Sequence, residues 1–144
     1  MKKISMLAVI IVLFSGVAVI AGDFTDNGNG TVTDANTGLM WQQGEAGSMN
    51  WEDALTYCEA LSLAGYTDWR LPNIEELKSI TDNSLYMPAI DTKYFPEAQS
   101  LYYWSSTTDP SSASDALCAV FSDGLSVSYF KSGPCYVRCV RGGQ

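Results

Sequence analysis

The pattern of hydrophobic and polar positions changes its period several times along this chain, and each change predicts an element. Met6 to Phe14 (MLAVIIVLF) is an unbroken apolar run, preceded by Lys2 and Lys3 and followed by Val19 and Ala21 in the arrangement of a small-residue cleavage site. That layout is a bacterial-type secretory signal. Residues 1–21 are expected to be removed, leaving 22–144 as one domain. An uncleaved anchor is the rival reading, because Ile4 to Ala21 is long enough to span a membrane. Ser5, Ser15 and Gly16 interrupt that run and favour cleavage.

Beyond it, the glycine-rich turn DNGNG leads into TVT, and ANTG turns the chain again before LMWQ. Asn-Gly pairs accept positive φ, so a β-hairpin is expected here. In NWEDALTYCEALSLAG, Trp51, Ala54, Leu55, Cys58 and Leu61 recur at helical spacing, with Asn50 as cap and Gly65 as stop. PNIEELKSI predicts a shorter helix, capped by Asn73 with Glu76 three residues on. A long connection follows, punctuated by Pro88 and Pro96, in which Met87, Ile90 and Phe95 are expected to be buried anchors. The remainder alternates or runs apolar between turns: YYWSST, ALCAVFS, LSVSYF and YVRCVR, with Asp123-Gly124 joining two of them. The expected architecture is α+β, with two early helices packed on an antiparallel sheet.

Charge narrows the functions this fold can serve. The chain carries a net charge of −8, which becomes −10 once Lys2 and Lys3 are gone. Such a field repels nucleic acid, so no nucleic-acid partner is expected. There is no histidine, which removes the usual base for a serine or cysteine nucleophile. No carboxylate pair stands out by spacing, so no catalytic residue is assigned and the chain is read as a non-enzyme.

Cys58, Cys118, Cys135 and Cys139 are an even set in a chain expected to be exported, which points to two disulfides. They lack CxxC spacing, which argues against zinc. The sequence alone permits three pairings. Asp26, Asn29 and Asp34 supply oxygen ligands in the first turn region and are the calcium candidates, although an EF-hand loop is absent. No other cofactor is expected. Trp104 is read as core, being large, apolar and mid-strand. The polar loop TTDPSSASD (107–115), with Tyr129 and Tyr136, is expected to be exposed. Its ligand-binding candidates are Asp109, Ser111, Ser112, Asp115, Tyr129, Lys131 and Tyr136. In DWRLPN, Pro72 holds Leu71 extended, so Trp69 and Leu71 should pack while Arg70 points away. Arg70 is then a structural tie to carboxylates or to carbonyls of the long loop.

Taken together, NGTVTDANTGLMWQ, the stretch from WEDALTYCEAL through DWRLPNIEELKSI, YWSST and the closing VRCVRG resemble the Lcl C-terminal domain family. That family is named for the Legionella collagen-like adhesin, and the resemblance spans about Asp23 to Gly142. It implies a C-type-lectin-like fold, similar also to formylglycine-generating enzymes. It further implies a Cys58–Cys139 bond from the first helix to the last strand, and a Cys118–Cys135 bond between the preceding strands. The EPN, QPD and WND signatures of calcium-dependent lectins are absent, and the acidic balance disfavours sulfated glycosaminoglycans. The function expected is an exported adhesion or binding module for a carbohydrate or surface protein, secreted, at the cell surface or periplasmic. A structural subunit of a surface assembly, with self-association, is the alternative, and a formylglycine-generating-type enzyme comes third.

Overall fold

The computed structural model describes residues 22–143. The expected signal segment, 1–21, lies outside the described residues. Phe24–Asp26 (β1), Thr31–Asp34 (β2) and Met40–Gln42 (β3) form an antiparallel meander, and Val140–Arg141 (β9) completes a four-stranded sheet in the order β1-β2-β3-β9. Ser48–Met49 (β4) precedes two helices, Trp51–Ala60 (α1) and Ile74–Ser79 (α2). Tyr102–Asp109 (β5), Ser112–Val120 (β6), Leu125–Phe130 (β7) and Cys135–Tyr136 (β8) join β4 in a second sheet, ordered β4-β8-β5-β6-β7. The class is α+β as expected, but the single antiparallel sheet is corrected to two sheets. The larger one is mixed, because β5 and β8 run parallel.

The local signals hold where they depend only on neighbours. The Asn50 side chain accepts the Asp53 amide at the start of α1, and Asn73 with Glu76 forms a reciprocal capping box on α2. Helix α1 ends at Ala60, earlier than the Gly65 stop, because Leu61 is already extended and Ala64 and Gly65 take positive φ. Strand alternation then sorts the larger sheet into two faces. Tyr103, Ala119 and Phe121 face α2 and the smaller sheet, joining Ile74, Leu77, Ile80, Val32, Trp41 and Val140 in one core. Trp104, Ala116 and Cys118 face α1, joining Ala54, Cys58, Trp69, Leu71 and Val137 in the other. Trp104 is fully buried, and its indole N–H donates to Met49 O at 2.8 Å. Burying a ring of that size stabilises the domain by roughly 3 kcal/mol.

The long connection is anchored at Ile90 and Phe95, both buried. Met87 is corrected: it is 60% exposed, because its backbone N–H is drawn to Ser122 O while its side chain faces out. The polar segment 107–115 is also no loop. Strands β5 and β6 run through it, leaving only Pro110 and Ser111 as the turn.

Two cysteines form the bond that ties α1 to the chain end, Cys58–Cys139, with Cα atoms 5.5 Å apart. The second expected disulfide is not formed. Cys118 and Cys135 are buried thiols whose sulfurs stand 3.5 Å apart, against about 2.05 Å for a bond. The strands that carry them, β6 and β8, are not neighbours, since β5 lies between. The sulfurs therefore approach each other across an intervening strand. The hydrogen-bonding contact with Cys135, and then burial, push the Cys118 thiol well above its ordinary range.

Candidate functional site

The turn Lys131–Pro134, between β7 and β8, separates two surface depressions. One, about 500 Å³, is lined by Ser48, Leu101, Tyr102, Tyr129, Pro134, Cys135 and Tyr136. Strand alternation explains its aromatic wall. Tyr102 lies two residues before Trp104 on β5, so it shares that face, yet it stays 39% exposed where Trp104 is fully buried. Tyr129 reaches the same face from β7 and meets Tyr102 edge-on, with ring centroids 5.7 Å apart and planes at 85°. Behind it stands Trp104, centroid to centroid 5.9 Å. Gly133 allows the turn to close over this ring: a Cβ there would lie 2.4 Å from Tyr129 Cε1.

The other depression, about 590 Å³, is lined by Asn50, Trp51, Glu52, Ala113, Ser114, Lys131 and Ser132. Its cation is already engaged. Lys131 Nζ donates to Thr108 Oγ1 and Ala113 O, both at 2.9 Å, and sits 4.0 Å from the centre of the Trp51 ring. Trp51 in turn donates its indole N–H to Ser105 O. Lys131 therefore works as a wall between α1 and the sheet.

The candidates named from sequence divide accordingly. Tyr129 and Tyr136 come together in the tyrosine depression, both half-buried rather than open. Lys131 lies in the neighbouring one. Asp109, Ser111 and Ser112 sit at the β5–β6 hairpin tip, outside both. Asp109 Oδ1 accepts the Ser111 amide and hydroxyl, and hydrogen bonds from Ser128 and Ser111 hold its carboxyl below the usual range. Asp115, half-buried, pairs across to Phe130. Leu101 and Tyr102 are not among the sequence candidates, because within YYWSST only Trp104 is assigned, to the core, and nothing in the sequence marks Leu101 and Tyr102 as exposed.

The three calcium candidates do not converge. Asp26 accepts the Gly28 amide and Gln43 Nε2, and Asn29 accepts the Thr31 hydroxyl, both at the β1–β2 turn. Asp34 lies at the opposite end of β2, buried, where it accepts Asn36 N–H and the Thr37 hydroxyl. Asn29 and Asp34 close their own local turns, and Asp26 closes its turn and ties it to Gln43. Among the described residues there is no group of three or more acidic, cysteine or histidine residues placed to hold a metal ion.

Arg70 is the tie expected, but to different partners. Its two Nη atoms donate to the two carboxylate oxygens of Glu76, each at 2.7 Å, and Nη2 also reaches Gly142 O at 2.8 Å. It joins α2 to the chain end and makes no bond to the long loop. Sequence reasoning missed a second arginine. Arg138 is fully buried, with Nη1 donating to the carbonyls of Gln42, Gln43 and Gly44, and Nη2 facing Glu45 Oε2 at 3.4 Å. Its guanidinium lies 4.8 Å from the centre of the Phe95 ring. Tyr103 donates its hydroxyl to the same Glu45 carboxylate, and burial pushes its pKa well up.

No curated protein matches this chain. The family model described as the Lcl C-terminal domain matches residues 30–141, a span that contains both sheets' central strands, both helices and the tyrosine depression, and the chain belongs to that family.

Proposed function

We propose that this domain is a non-catalytic binding module that works outside the reducing cytoplasm and takes its ligand at the tyrosine depression. The fold is read as C-type-lectin-like, and the family, named for a collagen-like adhesin, favours a role in adhesion. The observation that carries the reading is the Tyr102–Tyr129 pair, two rings in edge-on contact that form a partly exposed aromatic wall beside hydroxyl donors and acceptors. Such a surface suits the apolar face and the hydroxyl rim of a neutral carbohydrate. The net charge of −8 speaks against polyanionic glycans. The ionisable groups of the lining are three tyrosine hydroxyls and the buried Cys135 thiol, with no carboxylate, lysine or histidine beside them, which supports binding over turnover. A buried disulfide spanning 81 positions supports folding in an oxidising compartment. Hybridisation of the protein to an array of neutral and anionic glycans tests this directly. Binding to a neutral class should weaken about tenfold, some 1.4 kcal/mol, in Tyr102→Ala, with the melting temperature unchanged. An array with no neutral ligand, or retention of full affinity by Tyr102→Ala, would overturn the proposal.

A further inference from the structure

Strand β7 ends the larger sheet with one edge unpaired. Its register with β6 runs without a shift from Asp115 opposite Phe130 to Val120 opposite Leu125. Lys131 N–H donates to Ser114 O at 3.0 Å, one step further along the same register. The bonding phase follows from that contact. Leu125, Val127 and Tyr129 turn their backbone groups toward β6, while Ser126, Ser128 and Phe130 turn theirs outward. The Phe130 carbonyl is taken by Gly133 N–H. Among the described residues, no backbone bond outside the β6 ladder reaches Ser126 or Ser128.

Natural edges are usually blunted by lysine, proline, a bulge or a covering element. LSVSYF has no charge, no proline and no bulge, and it leaves Leu125 and Phe130 more than 60% exposed. The flanks carry opposite charges, Asp123 before the strand and Lys131 after it, the lysine ammonium being held toward Thr108 and Ala113. An antiparallel pair of two β7 strands centred on Val127 satisfies all of these features together. Ser126 meets Ser128 of the second copy in the outward bonding phase, on both sides of the axis. Leu125 falls opposite Tyr129, Phe130 opposite Gly124, and Asp123 opposite Lys131. Sliding the register by two residues toward Ser128 sets Leu125 against Lys131 and leaves Asp123 opposite Gly133, so the apolar and charge matches fail together.

We propose that two copies of this chain associate edge to edge through β7, in the register centred on Val127, to form one continuous ten-stranded sheet. The two-fold axis stands perpendicular to that sheet, so equal faces point the same way. Both tyrosine depressions then open on one side. If they bind ligand as proposed above, the pair is bivalent, and a multivalent surface would be held with avidity far above the single-site affinity.

Light scattering across a concentration series, with cysteine cross-linking, tests the pairing independently of any ligand. The purified protein should show concentration-dependent dimers at or below about 1 mM. Ser128→Pro removes an outward N–H, together with the exposed hydroxyl contact to Asp109, and leaves the β6 ladder intact, because proline is tolerated on a free edge. It should be monomeric with a nearly unchanged melting temperature. Ser126→Lys serves the same purpose should the proline variant fail to fold. Ser126→Cys mixed with Ser128→Cys should cross-link on mild oxidation, because the opposed Cα atoms stand about 5.5 Å apart, whereas neither variant alone should. A monomer throughout the series, dimers that survive in both edge variants, or cross-linking no better in the mixture than in the single variants would overturn the proposal.

Discussion

Arg70 and Glu76 meet fork to fork, with two N–O distances of 2.7 Å, and the same guanidinium holds Gly142 O. Glu76 is also the residue that closes the capping box, its Oε1 accepting Asn73 N–H at 2.9 Å. One carboxylate thus fixes both the start of α2 and the end of the chain. Bidentate charge-assisted bonds are the stronger kind, and this pair is only partly exposed. Arg70→Ala should destabilise the domain by about 2 kcal/mol, lowering the melting temperature by about 6–8 °C. Arg70→Lys should recover only part of that, because an ammonium cannot span both oxygens. Thermal unfolding followed by circular dichroism measures both, and an unchanged melting temperature in Arg70→Ala would remove the tie.

Acid should weaken the same contact. Burial raises the Glu76 carboxyl, but the hydrogen bonds from Arg70 and from the Asn73 backbone outweigh it, and the folded-state pKa lies below its ordinary 4.5. A carboxyl depressed in the folded state contributes stability above its unfolded pKa and loses it as pH falls through the folded value. The melting-temperature gap between the native protein and Arg70→Ala should therefore be constant from neutral pH down to about 5 and shrink below it. A gap that persists at the acid end would place the pair's contribution elsewhere.

Features that depend on a few adjacent residues were legible in the sequence. Asn50, Asn73 with Glu76, and Asp123-Gly124 were each read correctly, because a cap or turn is decided within four residues; Gly124 does take positive φ. The alternation of Trp69 and Leu71 around Arg70 likewise gave the buried and free sides. Pairings between distant segments were not legible. YVRCVR reads as one strand, yet Tyr136 pairs with Ser48 and Val140 with Trp41, in different sheets. Arg138 lies between them and looks in sequence like a surface cation. Its burial follows from three carbonyls of residues 42–44, more than 90 positions away. Half of the tyrosine depression was likewise hidden, because Tyr102 stands in the same apolar run as the buried Tyr103 and Trp104 and only tertiary packing leaves it exposed.

Arg138 should be the least replaceable cation. It is fully buried beside Glu45, whose side chain is only 8% exposed. Removing one partner leaves the other charge uncompensated, together with three carbonyls that lose their donor. Arg138→Ala should cost about 3–5 kcal/mol. Arg138→Met, which keeps most of the volume, should recover little, because the loss is polar. Denaturant unfolding of the three proteins decides this, and a Met variant as stable as the native chain would show that only the packing matters.

Reduction should act through the unfolded chain. The Cys58–Cys139 bond closes a loop across 81 positions, for which loop-closure entropy gives at most about 4.5 kcal/mol. Cys58→Ala paired with Cys139→Ala should lower the melting temperature by more than 10 °C, on the order of 4 °C per kcal/mol for a domain this size. Cys118→Ala should cost less, about 1 kcal/mol, as a small buried truncation. Alkylation of the denatured, unreduced protein should label Cys118 and Cys135 only. Labelling of Cys58 or Cys139 would contradict the observed pairing.

Gly133 offers a test of the tyrosine wall that leaves its hydroxyls in place. The Cβ of Gly133→Ala would come within 2.4 Å of Tyr129 Cε1 and 3.3 Å of Phe130 O, so the ring must swing away from the turn. The cost to stability should be modest, about 1–2 kcal/mol for local overpacking, because Tyr129 is only half-buried and packs at the margin of its core. Loss of the edge-on contact with Tyr102 should appear as changed ring-to-ring contacts in nuclear magnetic resonance spectra of the aromatic side chains. If Tyr129 is the positioned half of the wall, neutral-glycan affinity should fall in Gly133→Ala about as far as in Tyr102→Ala, although every tyrosine remains. Full affinity with a displaced Tyr129 ring would mean that the ligand uses Tyr102 alone, and the wall would then be packing on one side and recognition on the other.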